Sequence, residues 1–258
     1  MKLQSNTILI TGGASGIGLE LAGRLLEKGN TVIIAGRDRE KLDKAKAQYP
    51  KLHAFSCDVT DPAAIAELYN NVTAQFPDLN VLINNAGQMR KINLLANELV
   101  DINSEIATNL SGPVRMVNQF LPHLLKRPAS AIMNVSSALA FVPFAISPVY
   151  GATKAGIHSY TQSLRAQLKN TSVQVFELAP PLTKTTLVDA FGPNDMKGSV
   201  PMETSKLIDH VIAAMERDQL EIRPGQSNLL KLMSRLAPNF IFKQLSKSVD
   251  AMLADSGK

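Results

Sequence analysis

Tyr150 and Lys154 stand four residues apart in a segment whose pattern predicts a helix over residues 149–169. Side chains with this spacing share one face of a helix, so we expect the phenol and the ammonium to lie side by side. A phenol has an ordinary pKa of about 10, and a neighbouring ammonium favours its phenolate form. The pair therefore predicts general acid/base chemistry at Tyr150, directed at the oxygen of a carbonyl or an alcohol.

A serine precedes this pair at a useful distance. Ser136 and Ser137 end a strand predicted over residues 131–136, and Ser137 lies thirteen residues before Tyr150. The carboxyl ends of parallel strands line the ligand crevice of an open sheet, where a hydroxyl can bind the reacting oxygen. The alternative is that both serines only cap the strand end. Because the Tyr-x-x-x-Lys spacing is common on surface helices, it indicates catalysis only together with this serine and with the glycine-rich run at residues 11–18.

The run TGGASGIG at residues 11–18 joins a predicted strand to a predicted helix. Glycines allow a sharp turn and a close approach to a pyrophosphate, and the helix N-terminus offers free N–H groups to the anion. An ordinary glycine-rich turn is the alternative for such a motif taken alone. In this context it predicts a dinucleotide site, with cofactor contacts at Gly12, Ser15, Gly16, Ile17 and Gly18.

The end of the second predicted strand bears on the choice of cofactor. An acidic residue there binds the ribose 2′-hydroxyl of NAD, whereas this chain has Gly36 followed by Arg37 and, two further on, Arg39. A guanidinium can bind a 2′-phosphate through charge-assisted hydrogen bonds. The alternative is that Arg37 is a solvated residue at a helix entry. We expect NADP(H) rather than NAD(H).

The elements that must position these groups alternate strictly along the chain. Predicted strands cover residues 7–11, 31–35, 53–57, 81–84, 131–136, 172–178 and, more weakly, 219–222; predicted helices cover 17–28, 39–48, 63–76, 97–125, 149–169 and 203–217. This alternation implies an α/β fold with a doubly wound parallel sheet, a Rossmann fold. We expect one domain over residues 1–225, with a loop or lid at 192–201, and a helical C-terminal extension over 226–258.

Composition narrows the function classes further. The chain has 258 residues, of which 45% are hydrophobic and 19% charged, so it can bury a sizeable core. The single cysteine, Cys57, excludes a disulfide framework, and the four histidines lack metal-ligand spacing, so we expect no metal site. The net charge of +5 has no matching nucleic-acid motif, so no nucleic-acid partner is expected. With no signal peptide or spanning segment recognised, a cytoplasmic protein is expected.

Taken together, the motifs resemble those of the short-chain dehydrogenases/reductases, in their shorter single-domain branch. The residues that carry the resemblance are TGGASGIG at 11–18, NNAG at 84–87, Ser136-Ser137 and YGATK at 150–154, and the likeness covers about residues 5–225. The C-terminal stretch is similar to that of the oxidoreductases encoded with D-alanylation genes. The resemblance implies a homo-oligomer, a dimer or tetramer in which long central helices pair.

The resemblance also implies roles for individual residues. Ser137, Tyr150 and Lys154 would be catalytic, with Asn109 ordering a water beside the lysine; Ser137 is preferred to Ser136 because the family's serine lies thirteen residues before its tyrosine. The remaining cofactor contacts would come from Asp58 and Val59 at the adenine, Asn85, Ala86 and Gly87 at the adenine ribose, Tyr150 and Lys154 at the nicotinamide ribose, and Pro180 and Thr185 beside the nicotinamide.

One position departs from the family pattern. The family has Pro-Gly after the sixth strand, whereas this chain has Pro180-Pro181. Proline fixes φ near −65°, so a glycine conformation with positive φ is impossible at residue 181. We still expect Thr185 to occupy the position of the family's carboxamide-binding threonine.

The extension over residues 226–258 has large apolar residues near helical spacing with lysines and arginines between them. One interpretation is a helical cap over the substrate cleft or a subunit contact. The other is an amphipathic element that docks on an anionic membrane surface or a lipid-like substrate.

The sequence therefore predicts an oxidoreductase that transfers a hydride between NADP(H) and a carbonyl or secondary alcohol. A non-catalytic, cofactor-sensing binding or scaffold protein of the same fold is the alternative. Substrate specificity is expected from loops at 88–95, 138–148 and 186–201, with an apolar rim from Phe141, Val142, Pro143 and Phe144.

Overall fold

Seven short apolar runs form one parallel sheet in the order β3-β2-β1-β4-β5-β6-β7. The strands are β1 (Thr7–Thr11), β2 (Thr31–Gly36), β3 (His53–Ser56), β4 (Leu79–Asn84), β5 (Ser130–Val135), β6 (Val173–Leu178) and β7 (Glu221–Ile222). The strand order reverses between β1 and β4, and open α/β sheets bind their ligands at such a switch point. The predicted doubly wound fold is confirmed, with strand boundaries within two residues of those expected.

The computed structural model describes residues 1–95, 103–189, 191, 192, 195 and 200–256. Within this part of the chain the helices are α1 (Gly16–Glu27), α2 (Arg39–Gln48), α3 (Pro62–Gln75), α4 (Asn103–Ile106), α5 (Gly112–Leu124), α6 (Pro148–Gln167), α7 (Thr204–Glu216), α8 (Gln226–Leu236), α9 (Pro238–Leu245) and α10 (Lys247–Ser256). Parts of the predicted helix at 97–125 and of the predicted loops at 186–201 and 192–201 fall outside the described residues.

Two predicted helices differ from the structure in their continuity. The described part of the 97–125 helix is divided by a π-helical turn, Ala107–Ser111, which lies between α4 and α5. The C-terminal stretch forms three helices, α8 to α10, because the chain turns at Ala237, before Pro238, and again at Ser246. Both differences involve local backbone geometry that an apolar periodicity of about 3.6 does not reveal.

The core has two apolar layers, one on each face of the sheet. Ile8 and Ile10 of β1 pack with α1 and α7, whereas Leu9 packs on the opposite face with Phe120 of α5. Strands covered on both faces are apolar throughout, and residues 8–10 are all fully buried. This arrangement fixes the carboxyl ends of β1, β4, β5 and β6, from which the site described below is built.

The segment formed by α4, the π-helical turn and α5 contributes to this core and also leaves some apolar surface exposed. Val117 is buried in the layer around Phe120, whereas Ile106 is 36% exposed. The homo-oligomer expected from the family resemblance stays a prediction. Among the described residues, no helix is long and apolar enough to cross a membrane.

Candidate functional site

The glycine-rich turn after β1 requires glycine at several positions. Gly12 and Gly16 have φ values of +63° and +53°, a region that side chains rarely allow. A Cβ at Gly12 would lie 2.8 Å from the Cα of Ala86, and one at Gly18 would lie 2.4 Å from the carbonyl oxygen of Gly12. The turn is thus folded tightly against the end of β4, and α1 begins at Gly16 directly beyond it. Its first N–H groups lack helical acceptors, as an anion site requires.

Asn85 holds this turn in place from the neighbouring strand end. Its Nδ2 donates hydrogen bonds to the carbonyl oxygens of Thr11 (3.1 Å) and Gly12 (3.0 Å). The backbone N–H groups of Asn85 and Ala86 donate in turn to the Thr11 hydroxyl, at 3.0 and 3.1 Å. Three residues were expected at the adenine ribose. Two of them, Ala86 and Gly87, line a pocket beside the glycine-rich turn. The side chain of Asn85 braces the turn, and its expected contact with the adenine ribose stays a prediction.

A pocket of about 190 Å³ lies between the glycine-rich turn and the ends of β2 and β3. It brings together most of the residues expected to contact the adenosine half of a dinucleotide: Gly12, Ser15, Arg37, Asp58, Val59, Ala86 and Gly87. Cys57 also lines it, and burial raises the pKa of this thiol to about 11, which keeps it protonated. Gly16, Gly18 and Asn85 are not part of this lining. The two glycines give the turn its shape, and the Asn85 side chain holds it.

Charged residues at the mouth of this pocket extend the predicted set. Arg37 is exposed there, and Lys41 and Asp38 line the same pocket, whereas Arg39 does not. Asp38 caps α2, since its Oδ1 accepts from the N–H of Lys41 at 3.1 Å, and this hydrogen bond lowers the pKa of its carboxyl. Sequence reasoning missed Lys41, although its place in the first turn of a helix capped by Asp38 was a usable signal.

Tyr150, Lys154 and Ser137 meet at the carboxyl end of β5. Tyr150 and Lys154 lie one turn apart on α6, are 5% and 4% exposed, and the lysine Nζ lies 5.6 Å from the centre of the phenol ring. Lys154 Nζ donates to the carbonyl oxygen of Val135 at 2.8 Å. Ser137 begins a short 3-10 turn, where its Oγ accepts from the N–H of Leu139. The structure brings the three predicted groups together.

Burial controls the protonation of this group. It raises the pKa of the Tyr150 phenol to about 12; a hydrogen bond with Ser137 opposes the shift, and the Glu105 carboxylate adds to it. Burial also lowers the pKa of Lys154 to about 8. Among the protein groups alone, the phenol pKa rises although the ammonium favours the phenolate, because the loss of hydration outweighs the charges nearby.

Asn109 lies in the π-helical turn and is fully buried. Its Oδ1 accepts from the backbone N–H of Gln88 at 2.9 Å, and its Nδ2 donates to the Gln88 carbonyl (2.8 Å) and to Thr153 Oγ1 (3.2 Å). These bonds tie the segment after β4 to α6, next to Lys154. A Cβ built on Gly87 would lie 3.4 Å from Asn109 Oδ1 and 3.7 Å from Lys154 Nζ, so the three groups converge.

The loop after β6 folds without the family's glycine. Pro181 is buried, and its carbonyl oxygen accepts from Thr183 Oγ1 at 2.8 Å, while the Pro180 carbonyl accepts from the N–H of Ala138 at 2.9 Å. The loop is therefore anchored to the turn that follows Ser137. A Cβ at Gly16 would lie 3.2 Å from the methyl group of Thr185, so this threonine faces the glycine-rich turn.

A larger cavity of about 710 Å³ opens beside Tyr150 and Ser137. Ile17, Pro180 and Thr185 line one part of it, and the rest has mainly apolar walls, formed by residues that include Met89, Leu139, Phe144, Leu187, Leu230 and Leu245. Leu230 and Leu245 belong to α8 and α9, so the C-terminal helices close one side, as the cap interpretation expected. Of the four residues proposed as an apolar rim, only Phe144 lines this cavity.

Glu105 is a residue of this region that sequence reasoning missed. It is fully buried on α4, where its Oε1 accepts from the backbone N–H of Arg90 at 3.2 Å and its Oε2 lies 3.6 Å from Arg90 Nε. Burial raises the pKa of its carboxyl. No motif marks this position, and its proximity to Tyr150 arises only from the packing of α4 against α6.

A parallel sheet with a glycine-rich turn at its switch point, beside a Ser-Tyr-Lys group, is typical of oxidoreductases that bind a dinucleotide. The profile of the family described as short chain dehydrogenase matches residues 6–195. The oxidoreductase DltE of Bacillus subtilis strain 168 is 50% identical over 189 residues, which cover 72% of this chain and 75% of DltE. The chain therefore belongs to the short-chain dehydrogenase family, as the sequence motifs predicted.

A second relative agrees with this assignment, and two solved structures share the fold. An oxidoreductase of Staphylococcus epidermidis is 29% identical over 235 residues, covering 86% of this chain and 99% of that protein. A short-chain dehydrogenase from Burkholderia cenocepacia J2315, solved in complex with NADP, is 24% identical with a TM-score of 0.81 and covers 95% of this chain and 99% of its own. One from Burkholderia phymatum, solved in complex with NAD, is 20% identical with a TM-score of 0.80 and covers 95% and 96%. These two structures support the fold.

Proposed function

We propose that this oxidoreductase transfers a hydride between NADP(H) and a carbonyl or secondary alcohol, with Tyr150 as the general acid/base. The observation that carries the proposal is the position of Tyr150 and Ser137 on one apolar cavity, next to the glycine-rich turn. Ile17 and Thr185 line the same cavity, so a dinucleotide lying across the turn would bring its nicotinamide to the phenol. The tight glycine contacts of the turn fit such a cofactor.

The charges around the adenosine pocket favour NADP(H) over NAD(H). The related solved structures bind NADP in one case and NAD in the other, so fold similarity does not select between them. Arg37 and Lys41 place two cations at the pocket. Both acids of its lining are already engaged: Asp38 accepts from the N–H of Lys41 and lies 3.7 Å from its Nζ, and Asp58 accepts from the N–H of Thr60 at 2.9 Å. A 2′-phosphate would meet two cations there, whereas a ribose 2′-hydroxyl would lack the usual free carboxylate acceptor.

In the reduction of a carbonyl, each residue of the Ser-Tyr-Lys group and Asn109 has a separate role. A nicotinamide dinucleotide, held by the glycine-rich turn and by Lys154, would supply the hydride for the carbonyl carbon. Tyr150, held neutral by burial, gives its proton to the carbonyl oxygen, and the Ser137 hydroxyl hydrogen-bonds the same oxygen. Lys154 stabilises the phenolate that results and holds the nicotinamide ribose. Asn109 binds both Gln88 and Thr153, and so fixes the segment after β4 against the part of α6 that carries Lys154.

The cavity walls indicate the class of substrate. A volume of about 710 Å³ with largely apolar walls suits a carbonyl compound with a sizeable hydrocarbon part better than a small polar one. Leu230 and Leu245 of the C-terminal helices contribute to these walls, so the extension takes part in substrate selection. Closure of this side also shields the reacting groups from water.

The test is a comparison of Tyr150→Phe with Tyr160→Phe, the same substitution further along α6. The absorbance of NADPH follows its oxidation over a panel of aldehydes and ketones of increasing chain length, with NADH as the comparison cofactor. We expect Tyr150→Phe to lower turnover at least about 100-fold, the scale of general acid/base catalysis, with the NADPH Kd changed less than threefold. Tyr160→Phe should retain turnover. Unchanged turnover in Tyr150→Phe would refute the role, and a wild type that binds NADPH but reduces nothing would favour the scaffold alternative.

Cofactor choice has its own test. Arg37→Asp should raise the NADPH Kd at least about tenfold, since a charge-assisted contact is lost and a repulsive charge gained. The NADH Kd should change little. Lys46→Asp makes the same charge change on α2 away from the pocket and controls for net charge. Equal weakening of NADPH and NADH by Arg37→Asp would contradict the assignment of Arg37 to the 2′-phosphate.

A further inference from the structure

The outer side of α8 exposes large apolar side chains in a row. Leu229, Leu232 and Leu236 are spaced three and four residues apart, lie on one helix face and are 56%, 52% and 73% exposed. Phe240 continues the row on α9 and is 57% exposed. We call these four residues the apolar stripe. Single exposed apolar residues are ordinary, but a contiguous row on two consecutive helices marks a contact surface.

The opposite side of α8 is already engaged. Leu230 lines the substrate cavity and Ser227 is fully buried. Lys231 Nζ donates to Glu221 Oε2 at 2.9 Å and lies 5.3 Å from the centre of the Phe141 ring. These contacts fix the rotation of the helix, so the stripe cannot turn inward to bury itself.

The charges beside the stripe are of one sign. Arg235 on α8 and Lys243 on α9 are exposed, and residues 226–249 contain no aspartate or glutamate. An isologous contact between two copies across the stripe would bring these cations toward each other. An anionic lipid surface instead offers hydrocarbon to the leucines and phosphate groups to the cations.

We propose that α8 and α9 dock this protein on the surface of an anionic lipid bilayer. The apolar stripe enters the boundary between headgroups and acyl chains, and Arg235 and Lys243 contact lipid phosphates. The contact is interfacial, as expected for short amphipathic helices. Because the same helices wall the substrate cavity, docking holds that cavity at the membrane surface. The proposal does not depend on the reaction catalysed.

The test is flotation of the full chain with vesicles, followed without any activity measurement. Vesicles of phosphatidylcholine alone are compared with vesicles that contain about a third phosphatidylglycerol. We expect the wild type to float with the anionic vesicles only, and high salt to weaken binding, since surface charges are screened. Leu232→Ser/Leu236→Ser and, separately, Arg235→Gln/Lys243→Gln should each reduce the bound fraction at least about tenfold.

Matched control variants separate this surface from general properties of the chain. Leu94→Ser/Leu95→Ser removes two leucines that are 76% and 74% exposed elsewhere, and Lys126→Gln/Lys169→Gln removes two exposed lysines. Both controls should bind like the wild type, and circular dichroism should show all variants folded. The proposal is overturned if the wild type does not float, or if the controls lose as much binding as the stripe variants. It is also overturned if sedimentation velocity shows a dimer that the stripe variant dissociates while vesicles bind nothing.

Discussion

Lys154 makes the folded state sensitive to pH in a direction that can be predicted. Burial lowers the pKa of this lysine from 10.5 to about 8. Because the folded state holds the proton less tightly, the charged side chain destabilises it, and the penalty is complete below pH 8. The penalty disappears as the pH rises toward the unfolded value of 10.5. Lys154→Met removes the titration altogether.

The size of this effect follows from the pKa shift. One pKa unit corresponds to about 1.4 kcal/mol, so a shift from 10.5 to about 8 costs on the order of 3 kcal/mol at neutral pH. Integration of proton linkage predicts that most of this penalty, on the order of 2 to 3 kcal/mol, is recovered between pH 7 and pH 10. The Val135 carbonyl loses its lysine donor in the variant. That loss changes the free energy of unfolding of the variant by the same amount at every pH, because no titrating group is added.

The assay is urea unfolding of the wild type and of Lys154→Met at pH 7, 8, 9 and 10, followed by circular dichroism. The free energy of unfolding of the variant minus that of the wild type should fall by roughly 2 to 3 kcal/mol across this range. Lys169→Met removes an exposed lysine just after α6, and its difference should stay constant within about 0.5 kcal/mol. A Lys154→Met difference that stayed constant or grew with pH would refute the reasoning.

Three further substitutions test the backbone, the core and a helix cap. Gly12→Ala forces a Cβ to within 2.8 Å of the Ala86 Cα at a φ of +63°, so the NADPH Kd measured by calorimetry should rise at least about tenfold; a change below twofold would contradict this. Glu177→Ala removes the buried carboxylate that binds His158 at 2.8 Å, and urea unfolding should show a loss of about 3 kcal/mol, with a loss under 1 kcal/mol as the contrary result. Asp61 caps α3, since its Oδ1 accepts from the N–H of Ala63 at 2.8 Å. Asp61→Ala should therefore cost about 1 kcal/mol in the same assay and Asp61→Asn much less, whereas equal losses would argue against this capping role.

The parts of the site that sequence could predict depend on short-range geometry. The four-residue spacing of Tyr150 and Lys154 places both on one helix face wherever that helix packs. Ser137 follows a strand whose carboxyl end must reach the crevice of a parallel sheet. The structure brings these three groups together because each rule acts within about fifteen residues of chain.

The parts that sequence could not predict depend on packing between distant segments. Burial raises the pKa of the Tyr150 phenol, with Glu105 of α4 adding to the rise, and neither effect is visible in the spacing of Tyr150 and Lys154. The hydrogen bonds by which the Asn85 amide braces the turn after β1 join two strand ends that are 73–74 residues apart in the chain, so no local pattern indicates them. The π-helical turn that carries Asn109 leaves no trace in apolar spacing, since it changes the helix by a single residue.

Burial acts on Tyr150 and Lys154 in opposite senses, and in both cases it favours the neutral form. A phenol held neutral is a proton donor, which is the form that reduction of a carbonyl needs. Once the proton has left, a phenolate and an ammonium lie on one helix face beside an apolar cavity, where attraction between charges is stronger than in water. Burial disfavours the phenolate and the ammonium separately, but their mutual attraction stabilises both when they are charged together. The pair is therefore suited to donate a proton to substrate and to accept one in the reverse reaction.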